Sequence, residues 1–157
     1  MKKTLITLVL GLNIITAQAQ DYTSAIGLRG GWYRGLTFKH FLSEKLAFEG
    51  LLITRYRGIN LTALLEIHNS INEVEGLKWY YGGGAHVGYY NSYYYYSNGL
   101  NHYDMFIGVD GILGLEYTFT DFPFNISLDW KPTFNLLGGG YYFSGDSGAL
   151  SIRYIFE

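Results

Sequence analysis

Beyond its first twenty residues the chain alternates large apolar residues with small, polar or charged ones, and no segment sustains an apolar period near 3.6. The pattern predicts strands at about 22–32, 35–42, 46–57, 59–68, 77–90, 103–119, 124–136 and 148–157. Between them fall Trp32-Tyr33-Arg34, Ser43-Glu44-Lys45, Arg57-Gly58, the polar stretch 69–76, a Tyr- and Asn-rich stretch 91–102, Thr120-Asp121-Phe122-Pro123 and the glycine-rich 137–147. Most of these connections are short, so consecutive strands run antiparallel.

Sorting the strands by parity separates two faces. One face collects Ile26, Leu28, Leu36, Phe38, Leu52, Leu61, Leu65, Trp79, Tyr81, Val87, Leu113, Leu115, Ile126, Leu128, Trp130, Ile152, Tyr154 and Phe156, and carries no Asp, Glu, Lys or Arg. The other holds seven bases and five acids: Arg29, Lys39, Glu49, Arg55, Arg57, Glu66, Lys78, Asp110, Glu116, Asp129, Lys131 and Arg153. Glycine, serine and threonine are interleaved with them. The segment "ISLDWK" shows the split in miniature, with Ile126, Leu128 and Trp130 on one side and Ser127, Asp129 and Lys131 on the other.

Alternation alone leaves open which face is inside. A soluble ligand-binding barrel turns its apolar side inward. Volume argues the other way, because an eight-stranded barrel has an interior just wide enough for side chains to fill. Three Trp and the many Leu, Ile and Val of the apolar face would overfill it, whereas a small-plus-charged set fits. The expectation is an all-β, eight-stranded antiparallel up-and-down transmembrane β-barrel: bulky residues in lipid, mutually compensating charges in the lumen. Strands of about ten residues suit a membrane crossing of roughly 9–11 tilted residues. Closure removes the unpaired backbone edge that hydrocarbon would not tolerate.

Composition agrees. Charged residues are 15% and aromatics 18%, with 16 Tyr, 21 Gly and 2 Pro. The first nineteen residues, with Lys2 and Lys3 before an apolar run and Ala17-Gln18-Ala19 as the small-x-small site, read as a cleaved secretory signal, leaving 20–157 as one barrel domain. Without the signal's two lysines, nine Lys and Arg face thirteen Asp and Glu, a formal charge of −4, which argues against nucleic acid as a partner. There is no cysteine, hence no disulfide scaffold, thiolate metal site or lipidated cysteine. The four scattered histidines form no paired metal spacing, and no cofactor is expected.

The eight alternating strands, the lumen charges, the hairpin "GLEYTFTDFPFNISLDWKP" from Gly114 to Pro132 and the terminal strand "ALSIRYIF" resemble the small outer-membrane barrels related to OmpX and the OmpA transmembrane domain. The resemblance spans about residues 22–157 and specifies architecture, not chemistry. It implies an outer-membrane location, lipid and lipopolysaccharide as surroundings, and the barrel-assembly machinery as a biogenesis partner reading Tyr154 and Phe156. The chain departs from that terminal pattern by continuing to Glu157. The resemblance also puts the connections near 43–45, 69–76 and 120–123 in the periplasm and those near 33, 58, 91–102 and 137–147 outside.

The lumen set Arg29, Lys39, Glu49, Arg55, Glu66, Lys78, Asp110, Glu116, Asp129, Lys131 and Arg153 reads as a closing salt-bridge network rather than a narrow pore, and His86 as a hydrogen-bonded lumen residue. A lipid A-modifying enzyme is the second class. His68-Asn69-Ser70 with Glu73 matches a deacylase-like His-x-Ser in letters but falls in an expected turn, and a nucleophile needs its base held within reach. His102, Asp104 and Ser97 offer the ingredients of a rim acyltransferase. Neither set supports an assignment of catalytic residues, and no enzyme is expected. The run Tyr93, Tyr94, Tyr95 and Tyr96 is a candidate recognition surface for an extracellular glycan or protein, since tyrosine gives large amphipathic contact area. The resulting expectation is a structural or surface-interaction barrel.

Overall fold

A computed structural model describes residues 23–55, 58–91, 103–138, 143–144 and 148–156. The signal region and Tyr93 to Tyr96 lie outside these residues. The described strands are β1 (Ser24–Gly31), β2 (Arg34–Phe41), β3 (Leu46–Arg55), β4 (Gly58–Ser70), β5 (Leu77–Asn91), β6 (Tyr103–Thr118), β7 (Phe124–Trp130), β8 (Thr133–Leu137), β9 (Phe143–Ser144) and β10 (Gly148–Phe156). All pairings are antiparallel between neighbours in the chain, apart from β6 with β8, β7 with β10, and β1 with β10, which closes the ring.

The result is a closed eight-stranded antiparallel barrel in which β7 and β8 are two halves of one stave. The expected single strand over 124–136 is interrupted at Lys131-Pro132. Pro132 has no N–H for the ladder; its carbonyl still accepts from Gly111 N–H at 2.9 Å. Above the break β8 pairs with β6 through a bulge at Ile107/Gly108, and the two residues of β9 pair with β8.

Register fixes the tilt. From Leu28 one path around the ring runs Leu36, Leu52, Leu61, Val87. The opposite path runs Ile152, Ile126, Tyr117, Leu77. The paths meet on β5 ten residues apart, 87 − 77 = 10. With eight staves, a rise of ~3.3 Å per residue and a spacing of ~4.8 Å, that stagger gives a tilt of about 40°. A ten-residue strand is then about 25 Å tall along the barrel axis.

The faces separate as the alternation requires. Leu28, Trp32, Leu61, Leu115, Leu128 and Trp130 are exposed, Trp32 by 74%, while Lys39, Glu49, Glu66 and Arg153 are 0% exposed. The interior departs from expectation in being not only small and charged: Leu51, Ile53, Leu64, Tyr80 and Ile112 form a buried apolar cluster on which Tyr33 packs, and Ala25, Phe41 and Ala47 form a second with Ile155 against it.

Two glycines are required by their surroundings, one on the inner wall and one in a turn. Gly114 lies under the Tyr80 ring, where an added Cβ would come within 2.7 Å of the tyrosine oxygen and 2.8 Å of Asp129 Cβ. Gly76, at φ 81°, turns the chain from β4 into β5, and its carbonyl accepts from Thr118 N–H at 2.8 Å. Gly114→Val should therefore overpack the lumen and lower stability by about 1–3 kcal/mol in denaturant unfolding, whereas Gly50→Ala, whose nearest neighbour to a new Cβ is a Phe48 ring atom at 3.7 Å, should change it little.

Candidate functional site

The inward-facing alternate positions of the strands bring most of the expected lumen charges into three clusters. In the first, Arg29 on β1 forms a two-pronged pair with Asp129 on β7, Nη1 to Oδ2 at 2.7 Å with the second prong from Nη2 to Oδ1. Arg29 also donates to Ser151 Oγ at 3.2 Å, and the Tyr80 hydroxyl donates to Asp129 Oδ2 at 3.1 Å.

The second cluster crosses the middle of the lumen. Lys39 Nζ lies 2.8 Å from Glu66, 3.1 Å from Glu116 and 3.7 Å from Glu49, and 4.2 Å over the Tyr80 ring. Arg153 Nη2 pairs with Glu49 Oε1; its other donors reach Ser127 at 2.8 Å, Thr37 at 3.0 Å, and Glu116 and Asn125 at 3.4 Å. Two cations thus serve three carboxylates. Glu49 Oε2 and Glu66 Oε1 have no hydrogen-bond partner among the described residues.

The third cluster centres on Asp110. It accepts from Lys131 Nζ at 2.5 Å and Thr133 Oγ1 at 2.9 Å, and its other oxygen lies 2.7 Å from His86 Nδ1. His86 Nε2 is 3.0 Å from Asn135 Oδ1. Lys78 is half-buried, with Nζ 5.4 Å from the Phe41 ring centroid. The Arg55 side chain and Arg57 lie outside the described residues, as do Ser97, His102 and the side chain of Asp104.

The His68-Asn69-Ser70 segment departs from expectation. The turn expected at 69–76 begins later, because β4 continues to Ser70, which pairs with Lys78. His68 therefore points into the lumen at 2% exposure. Its Nε2 is 3.0 Å from Glu66, its ring stacks on Tyr80 at 4.8 Å, and Nδ1 has no hydrogen-bond partner among the described residues, Ser70 included. Tyr80, which touches the first two clusters, carries no charge and so is not marked by the pattern of acids and bases. The signal was in the pattern: it shares parity with Lys78 and Gly82.

Chemically, these side chains make a filled, internally paired interior. Arg153, Lys39, Glu49, Glu66 and Tyr80 reach in from five different staves, all at 0% exposure. An ion passing the middle of the barrel would have to break several charge-assisted bonds at once. No protein-family model matches the chain, and no curated protein is significantly similar to it.

A buried pair is costly to break and cheap to replace as a unit. Arg29→Met, which strands Asp129, should cost about 3–5 kcal/mol in denaturant unfolding. Arg29→Met with Asp129→Leu should recover most of that loss. A double variant no more stable than the single would mean the pair is not the unit the geometry indicates.

Proposed function

We propose that this chain is an integral protein of a bacterial outer membrane, a small β-barrel of structural or surface-interaction type whose lumen is closed by a salt-bridge network. The observation that carries this reading is the inversion of the two faces. Arg153 and its partners are fully buried while a belt of Leu, Ile, Val, Phe, Tyr and Trp faces out on every stave. Monomeric proteins in water rarely expose contiguous apolar patches beyond a few hundred Å², and a belt around a whole barrel needs a lipid solvent. The closed ladder meets the demand that no backbone polar group be left unpaired in hydrocarbon.

Further features support the reading. The stave height of about 25 Å matches the apolar band of such barrels. Trp79, Phe119, Phe122, Phe124, Tyr154 and Phe156 are exposed toward the end of the barrel that carries the chain termini, a disposition suited to an interfacial aromatic girdle. Lipid and lipopolysaccharide are then the surroundings, β10 the strand offered to the assembly machinery, and the tyrosine run a contact surface for glycan or protein outside the cell.

On a denaturing gel the detergent-folded chain should migrate differently before and after boiling; an unshifted band together with solubility in detergent-free buffer would refute the membrane reading. Leu115→Arg, on the outer face, should cost about 2–4 kcal/mol if near the midplane. Glu116→Gln, which neutralises one of three carboxylates around two cations, should cost less. Deleting 92–98 should leave folding intact and reduce adhesion of cells displaying the protein.

A further inference from the structure

On the membrane reading, the height of the apolar belt is a property of each stave, and the belt is uneven. Along β6 the outward side chains Met105, Ile107, Val109, Leu113, Leu115 and Tyr117 run without a polar break, Gly111 being the one outward position without a side chain. That run covers about 30 Å at a tilt of about 40°. Along β2 only Leu36 and Phe38 lie outward between Arg34 and His40, a span of about 15 Å. Arg34 is exposed, and His40 Nδ1 lies 2.9 Å from Ser24 Oγ on the same outer face. A bilayer offering about 25 Å of hydrocarbon is too thick for this side of the barrel and must thin or be bridged there.

Beside the thin stretch the outer surface is grooved. The groove follows the closing seam of β1 and β10, with Leu28, Leu150 and Ile152 along it, Gly30 and Gly148 where large side chains are missing, and Arg34 at its upper mouth. A Cβ added to Gly30 would meet nothing within 4 Å, and one on Gly148 only Asp129 O at 4.0 Å, so the depression is open space.

We propose that this seam groove binds a phosphorylated lipid of the surrounding outer leaflet, with one acyl chain along Leu28, Leu150 and Ile152 and the phosphate on Arg34. The inference rests on the membrane reading and deepens it. An apolar channel with a guanidinium at one end is complementary to an anionic amphiphile, and arginine matches phosphate with two parallel donors. A headgroup drawn down to Arg34 also bridges the short side of the belt. A second copy of the chain fits less well: outward positions of the described strands carry no Asp or Glu, so another barrel's apolar face offers Arg34 no anion.

The test is native mass spectrometry of the detergent-folded chain mixed with dioleoyl phosphatidic acid or with dioleoylglycerol. The wild type should retain one phosphatidic acid and little dioleoylglycerol. Arg34→Gln and Gly148→Leu should each reduce retention about tenfold, while Lys45→Gln, an exposed charge at the opposite end of the barrel, should not. Gly148→Leu enters open space, and the heat-modified gel band verifies that each variant is folded. Equal retention of both lipids, or of phosphatidic acid by all variants, with the gel shift intact, overturns the groove alone. Loss of the gel shift in the wild type, with solubility in detergent-free buffer, overturns the membrane reading and the groove with it.

Discussion

A sheet whose outer face is apolar on every stave has to satisfy its backbone polar groups within itself, and the pairing of β1 with β10 is what allows that. Were this seam open, two rows of N–H and C=O groups would face a surface otherwise made of Leu28, Leu150, Ile152 and Leu128. Closure also fixes everything inside. Once eight staves meet with a ten-residue stagger, tilt and radius follow, and with them which inward residues share a level.

The interior is therefore a packing problem with charges as the building material. Long side chains from opposite walls can meet across a narrow lumen, which is how Arg153 on β10 reaches Glu49 on β3 and Lys39 on β2 reaches Glu116 on β6. Buried ions of this kind are weak evidence for stability in themselves; what they secure is that no single member can be lost without stranding another. Tyr80 ties the arrangement together by lying against Gly114, bonding Asp129 and offering its ring to Lys39 and His68. The apolar layer of Leu51, Leu64 and Ile112 fills the remaining width.

With the lumen filled in this way, the interactions open to the barrel lie on its outer wall and at its rims. The wall is not uniform. Tall apolar staves at β5 and β6 contrast with the stretch at β2, where Arg34 and His40 bound only Leu36 and Phe38, and the grooved seam lies beside that stretch. That asymmetry sets one side of an otherwise ring-like surface apart from the rest.

Much of this was written in the chain. The period of two gives each residue's face from its neighbours alone, because successive strand side chains point to opposite sides. That is why Leu115 and Glu116, or Leu128 and Asp129, could be assigned in or out without a structure, and why the volume of the two faces decided which was inside. The partners of the charges were not legible. Arg29 and Asp129 are 100 positions apart, and their meeting depends on the stagger of the whole ring, which no local pattern encodes. The extension of β4 through Asn69 and Ser70 was hidden for a related reason: these polar residues read as part of a turn by composition, while the ladder to β5 held them extended. Face is a local property of the backbone, and alternation wrote it into the sequence; pairing is a property of the closed ring, and only the tertiary structure decided it.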